Sequence, residues 1–282
     1  MTPTYPNGPR TKALSTLLNR QVAPITCSSQ PPNRDFVIWF TARTGSTWLG
    51  SLLFSAGFPK PSEYFHPNKI LRIASYLGVN TWADYVNSVK QKRTIDGVFA
   101  HEMTFQFWDM LRNDGDVMSH LDFSGPSIVL FREDVVAQAV SIYLAVKSKK
   151  WHRYQGTEIT QNELQIPYNE NENEIREKIL YICKQETGLK EHQNLLIPQA
   201  KFLSYEKMAA SQPKSVIVSL EQQAEFKASN VDKARSYYVP VRSAISQGMC
   251  TQFMERNEQF VADIQSRRKW LLNNKDPLTF TQ

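Results

Sequence analysis

The sequence predicts an α/β protein in which helices flank a parallel sheet. Three observations support this fold class. Short apolar runs rich in Val, Ile and Phe recur along the chain, and such runs are typical of strands buried on both faces. Segments with apolar residues at helical spacing follow several of these runs. Polar turns separate the two kinds of segment, and strands that alternate with helices assemble into parallel sheets.

The first strand–helix unit begins at residues 35–40, a continuous apolar run that predicts a buried strand. A polar loop follows over residues 41–47. The next stretch, residues 48–56, predicts a helix because its apolar positions fall on one face, at Leu49, Leu52, Leu53 and Ala56. Gly57 then suits the end of that helix, since glycine is the preferred residue just after a helix.

A second unit has the same order of segments. Residues 127–131 predict another central strand, and a charged turn at residues 132–134 leads into a helix over residues 135–148. Acidic residues precede this helix and lysines end it, which suits the helix dipole. Two further strands are predicted at residues 97–100 and 200–205.

The remaining segments complete the predicted domain organisation. Residues 1–34 contain four basic residues, no acidic one and six prolines, which predicts a flexible basic N-terminal extension. Residues 35–282 then form one domain, in which the polar stretch 152–172 is expected to be a lid or a mobile loop. Further helices are predicted at residues 69–92, 103–113, 171–190, 206–220 and 248–272.

Composition and charge argue against several classes of protein. The 282 residues include 33 basic and 27 acidic ones, a net charge of +6. Because four of these positive charges lie in the N-terminal extension, no nucleic-acid partner is expected. No run reaches the ~18 apolar residues of a transmembrane segment. Three cysteines without paired spacing (Cys27, Cys183 and Cys250) indicate reduced thiols, no metal site and a cytoplasmic location. The basic, acid-free N-terminus has a transit peptide as its alternative interpretation.

The loop before the first helix has the composition of an anion site. Arg43 can bind two oxygens of one anion, and Gly45 lets the backbone approach closely. The hydroxyls of Thr44, Ser46 and Thr47 add donors. Unpaired N–H groups and the helix dipole favour an anion at such a helix start. The alternative is an ordinary strand–helix turn in which a Ser or Thr caps the helix.

This loop is not a Walker A loop. That motif would need glycine at position 40 and lysine at position 46, where this chain has Phe40 and Ser46. The lysine and the Mg²⁺-binding position of an NTPase are therefore missing. A nucleotide whose transferred group needs no Mg²⁺ fits the loop better, although a nucleotide-dependent kinase without a Walker motif stays an alternative.

Four segments together resemble the sulfotransferases that use 3′-phosphoadenosine 5′-phosphosulfate (PAPS). The chain is most similar to the bacterial trehalose 2-sulfotransferase family, to which nodulation-factor sulfotransferases are related. The similarity covers roughly residues 35–260. The matching segments are the loop at 42–49, the stretch 57–65, the strand and helix at 129–141, and the helix end that leads to Trp151.

The resemblance implies a P-loop-like sulfotransferase fold that binds PAPS, releases 3′,5′-ADP and needs no metal. Arg132 and Ser141 match the residues that hold the 3′-phosphate in such enzymes. The loop matches the 5′-phosphosulfate site, formed by Arg43, Thr44, Gly45, Ser46, Thr47 and Trp48. The acceptor would be a hydroxyl of a small molecule, a carbohydrate or a glycolipid. Relatives in the trehalose family form dimers, so the resemblance implies a homodimer, whereas the sequence itself does not give the oligomeric state.

Two residues compete for the role of general base. Glu63 matches the glutamate that the trehalose family is thought to use, and Arg43 would stabilise the developing charge. His101 is the rival base, because other sulfotransferases carry a catalytic histidine after a comparable strand; its alternative role is a polar residue of the core. Glu102 stands where the family usually has lysine. Expected acceptor-side residues are Glu63, Phe65, Glu102 and Trp151.

The departure at Glu102 keeps a second interpretation open. A family member that has lost catalysis would still bind a nucleotide or a glycan without turning it over. The sequence names neither the acceptor nor the position that would be sulfated.

Overall fold

The computed structural model describes residues 34–113, 118–152, 171–238 and 244–274. Its centre is a four-stranded parallel sheet in the order β2-β1-β3-β4, which confirms the predicted α/β class. The strands are β1 (Arg34–Phe40), β2 (Val98–Met103), β3 (Ser127–Phe131) and β4 (Ala200–Ser204). Because all strands are parallel, their carboxyl ends lie along one edge of the sheet, where open α/β sheets bind ligands.

Helices surround this sheet. The first six are α1 (Ser46–Ser55), α2 (Pro67–Leu77), α3 (Trp82–Arg93), α4 (Phe105–Leu111), α5 (Val135–Ser148) and α6 (Glu172–Glu191). Those that follow are α7 (Gln193–Leu196), α8 (Tyr205–Ala210), α9 (Pro213–Ala224), α10 (Ala244–Arg256), α11 (Glu258–Arg267) and α12 (Lys269–Asn273). A 3₁₀ turn, Val231–Lys233, follows α9.

Each face of the sheet is covered by its own apolar cluster, because side chains along a strand alternate between the two faces. Trp39 and Phe99 pack with α2, α3 and α4 on one face. Ile38 and Leu130 pack with α1 and α9 on the other. A third cluster joins α5 and α6 to α10 and α11, with Phe253 fully buried. The burial of both faces explains why the strands read as continuous apolar runs.

Three predicted helices are shorter in the structure. The segment 69–92 is two helices, because Gly78 ends α2 in the left-handed region (φ 69°) and the Thr81 hydroxyl caps α3. The segment 206–220 divides at Pro213, which starts α9. The segment 248–272 consists of α10, α11 and α12.

Strand β1 begins one residue before the predicted start of the domain. Arg34, which the prediction places in the extension, is the first residue of β1 and pairs with Glu225. Residues 1–33 and most of the expected lid lie outside the described residues; of that lid, His152, Asn171 and Glu172 are described. Among the described helices, none is both long enough and apolar enough to cross a membrane.

Candidate functional site

A cavity of about 850 Å³ opens at the carboxyl ends of β1 and β3. It is the place where the structure brings most of the predicted site residues together. Nine of them line it: Arg43, Gly45, Ser46, Thr47, Trp48, Glu63, Arg132, Ser141 and Trp151. Residues from β1 to α8 thus converge on one space, although they are far apart in the sequence.

The loop between β1 and α1 presents an open helix N-terminus to this cavity. Gly45 holds φ at 86°, a conformation that favours glycine, and as the N-cap residue it has no side chain that could cap the first turn of α1. That first turn also contains no acidic residue, so its N–H groups and its dipole are not neutralised locally. Thr44 differs from the prediction: it is fully buried, does not line the cavity and donates its hydroxyl to the Thr41 carbonyl at 2.8 Å.

Arg43 carries its charge into the cavity from a left-handed backbone (φ 68°). Its Nε donates to the Ser141 hydroxyl at 2.9 Å, and its Nη1 donates to the Trp151 carbonyl. Burial and then the positive charge of Arg132 lower the pKa of Arg43. Two guanidinium groups that repel each other in one cavity would be stabilised by an anion placed between them.

Arg132 follows β3 directly and is buried. Its guanidinium lies over the ring of Tyr205, 4.7 Å from the ring centre. Its Nε is 3.5 Å from a Glu206 carboxylate oxygen and makes no hydrogen bond among the described residues. The Glu206 carboxylate also accepts from the N–H of Glu133 at 2.8 Å. The Tyr205 ring therefore supports one face of the Arg132 guanidinium, which keeps N–H donors for a ligand.

Helix α5 holds the loop in position through Gln138, a residue that the sequence did not single out. The Gln138 amide donates to the Thr41 hydroxyl at 2.7 Å and to the Ala42 carbonyl at 2.8 Å. Gln138 is fully buried, and burial makes these bonds directional constraints rather than surface contacts. The two strand–helix units of the prediction are in this way joined next to the cavity.

Glu63 lies in the cavity wall with two basic neighbours. Lys69 Nζ is 3.1 Å from its Oε1, and His66 Nε2 is 3.8 Å from its Oε2. Because His66 Nδ1 accepts the N–H of Asn68 at 3.0 Å, the proton of the neutral ring is on Nε2, facing Glu63. Burial lowers the pKa of His66, and the Glu63 charge opposes that shift. Sequence reasoning missed His66 and Lys69, although both follow Glu63 closely in the chain.

Three other predicted residues do not reach the cavity. His101 is fully buried in β2 and stacks on Phe99, with the ring of Phe65 against its edge. Phe65 is itself fully buried. Glu102 faces the opposite side of β2, where its Oε1 would lie 3.0 Å from a Cβ added to Gly50. Burial, and then the charge of Glu63, raises the pKa of Glu102 to about 8.

These positions bear on the choice of general base. His101 occupies its alternative place in the core. Neither ring nitrogen has a hydrogen-bond partner in the described part of the chain, and the residue does not line the cavity. Glu63 is the candidate base that the structure puts in the cavity. Within the described ranges, no group of three or more His, Cys, Asp or Glu side chains is arranged to hold a metal ion.

The cavity thus combines a positively charged half, with two guanidiniums and an open helix end, and a half with a carboxylate between basic side chains. No family model matches the chain, and no curated protein matches it in sequence.

Proposed function

We propose that this protein is a sulfotransferase that moves a sulfonate group from PAPS to a hydroxyl of a carbohydrate or glycolipid. One observation carries the proposal: Arg43, Arg132 and the uncapped start of α1 converge on the cavity that also contains the Glu63 carboxylate. This arrangement suits a nucleotide with two anionic groups next to a base, and it agrees with the sequence resemblance described above.

The two anionic ends of PAPS would bind at different arginines. Arg132 and Ser141 would hold the 3′-phosphate, and the 5′-phosphosulfate would lie at the start of α1, against Gly45 and Thr47. Arg43 bonds to Ser141 at 2.9 Å, so the two subsites share a hydrogen-bonded link. The repulsion between the two guanidiniums would fall when the nucleotide binds, and this adds to the affinity.

Transfer would be an in-line substitution at sulfur. The acceptor hydroxyl oxygen forms a bond to sulfur, while the bond from sulfur to the 5′-phosphate oxygen breaks and leaves its electron pair on 3′,5′-ADP. Glu63 would take the hydroxyl proton, a contribution typically worth about 10²–10⁴-fold in rate. Arg43 and the N–H groups of α1 would stabilise the charge that develops on the leaving phosphate.

Labelled PAPS tests the proposal directly. The purified protein is incubated with [³⁵S]PAPS and a panel of disaccharides, lipopolysaccharide fragments and chito-oligosaccharides, and labelled product is measured. Glu63→Gln should lower turnover about 10²–10⁴-fold while sparing the affinity for 3′,5′-ADP. The matched control Glu174→Gln changes a surface carboxylate that pairs with Lys147, and it should leave turnover unchanged. Equal turnover in Glu63→Gln would remove Glu63 as the base.

One observation favours a second candidate, a protein that binds the nucleotide or a glycan without turnover. Lys69 Nζ already pairs with Glu63 Oε1 at 3.1 Å, so a carboxylate oxygen that would take the acceptor proton is engaged by another side chain. Binding of 3′,5′-ADP without transfer to any acceptor in the panel would support this candidate. Transfer from labelled ATP with Mg²⁺, and none from PAPS, would instead identify a kinase.

A further inference from the structure

A buried ion pair lies beneath the turn that carries Arg132. Arg268, between α11 and α12, is 1% exposed, and Glu186 of α6 is 5% exposed. The Arg268 Nε donates to Glu186 Oε2 at 2.7 Å, and its Nη2 donates to Glu186 Oε1 at 2.8 Å. This is a two-bond contact between planar groups, which fixes the orientation of the guanidinium as well as its position.

The outer donors of the same guanidinium bind the backbone of the β3–α5 turn. Arg268 Nη2 donates to the carbonyl of Arg132 at 2.6 Å, and Nη1 donates to the carbonyl of Glu133 at 3.1 Å. Burial works against the Arg268 charge, but the hydrogen bonds and the negative charge of Glu186 outweigh burial and raise its pKa. Arg268 therefore stays charged while it connects α6 to the turn.

Stability alone does not require this pair. Two apolar residues of similar volume are often as stabilising as a buried ion pair, because removing both charges from water is costly. The apolar pair could not, however, donate to the two carbonyls of the turn. Only a guanidinium offers donors in several fixed directions at once.

The position of the Arg132 carbonyl decides where the Arg132 side chain begins. From that point the side chain runs over the Tyr205 ring and past Glu206, which the structure places 4.7 Å and 3.5 Å away. These two contacts do not set the direction of the Arg132 side chain by themselves. That direction also depends on where the backbone of Arg132 is held, which serves as the anchor of the side chain. The anchor comes from Arg268, which is 136 positions further along the chain.

We infer that Arg268, held by Glu186, is a positioning residue that aims the Arg132 guanidinium at the phosphate group of the bound nucleotide. The inference rests on the proposed function, in which Arg132 binds the 3′-phosphate. It extends that function to a residue that touches neither the cavity nor the nucleotide. Arg268 would act on affinity for one phosphate only.

The experiment compares two nucleotides that differ by that phosphate. Calorimetry gives the affinities of the full-length protein for 3′,5′-ADP and for 5′-AMP, and their ratio measures the contribution of the 3′-phosphate. Arg268→Lys keeps a positive charge beside Glu186 but cannot hold both carbonyls. It should reduce the ratio about tenfold, through weaker binding of 3′,5′-ADP, with the affinity for 5′-AMP unchanged.

Two further variants separate positioning from stability. The double variant Arg268→Met with Glu186→Met removes the pair without leaving a buried charge, so it should fold. Its ratio of affinities for 3′,5′-ADP and 5′-AMP should fall as far as in Arg268→Lys. Leu271→Ala, in the neighbouring α12, removes a fully buried apolar side chain, which has no donor for the carbonyls of the turn. It should lower the melting temperature and keep the wild-type ratio.

The outcomes are distinct. A wild-type protein that binds both nucleotides equally well would overturn the proposed function, and the inference with it. A wild-type preference for 3′,5′-ADP that persists in the folded double variant would overturn the inference alone. A ratio that falls in both Arg268 variants and not in Leu271→Ala supports it.

Discussion

Replacing His101 with phenylalanine should make the protein more resistant to mild acid. His101 is fully buried against Phe99, with ring centres 5.3 Å apart and planes at 21°, and Phe65 and Phe123 meet its edges. Within the described ranges, neither ring nitrogen has a hydrogen-bond partner. Burial, and then the positive charge of Lys90, lowers the pKa of His101 to about 3.

The size of the effect follows from the difference between the folded and the unfolded chain. The unfolded chain binds a proton at this histidine with a pKa of about 6.5, whereas the folded protein does not until about pH 3. The stability that the neutral His101 contributes is therefore complete above about pH 6.5, and it is lost as the pH falls from there toward 3. Between pH ~7.5 and ~5 only the unfolded chain titrates, and the loss amounts to about 2 kcal/mol.

Urea unfolding followed by tryptophan fluorescence at these two pH values measures the effect. Relative to the wild type, His101→Phe should gain about 2 kcal/mol in free energy of unfolding when the pH is lowered from ~7.5 to ~5. Phe123→Leu alters packing against the same ring without changing a titratable group. The free energy of unfolding that this variant loses relative to the wild type should therefore be equal at both pH values. An identical pH dependence in the wild type and in His101→Phe would refute the argument, because it would mean that the folded ring binds protons normally.

Further predictions concern the loop before α1. Gly45→Ala should destabilise the protein by about 1–2 kcal/mol and weaken 3′,5′-ADP binding, because φ is 86° and the new Cβ would lie 2.8 Å from the Tyr205 ring; thermal unfolding and calorimetry check both effects. Thr44→Val should cost about 1 kcal/mol of stability through its lost bond to Thr41, with nucleotide affinity preserved. Thr47→Val should do the reverse, lowering nucleotide affinity roughly 2–10-fold with little change in melting temperature, since Thr47 lines the cavity. If both threonine variants behave alike, the distinction between a buried and a ligand-facing hydroxyl is wrong.

Much of the fold could be predicted from local signals. The strands were found because a parallel strand buried on both faces must be apolar at successive positions, as residues 127–131 are. Helix α5 begins and ends where predicted, since Asp134 caps its first turn and Lys147 lies in its last. The helix breaks were missed where periodicity continued across them, as at Gly78, because apolar spacing outweighed the capping signal.

The candidate site was predicted in part for the same reason. Loop residues that follow a strand must lie at the carboxyl edge of a parallel sheet, so Arg43 and Arg132 could be placed in one cavity without coordinates. His101 and Glu102 could not be assigned in this way. Both faces of β2 are buried, so the sequence contains no polar alternation to tell which side chain points where.

The sequence by itself determined the alternation of strands and helices, a loop with the composition of an anion site, and the two arginines that follow β1 and β3. Local chemistry decides these features, because each depends on residues within one turn or one strand. The tertiary structure alone decided which distant groups meet: Ser141 with Arg43, and Arg268 beneath the turn of Arg132. Such contacts depend on how elements pack, and packing is set by the shape of the whole core rather than by any local pattern.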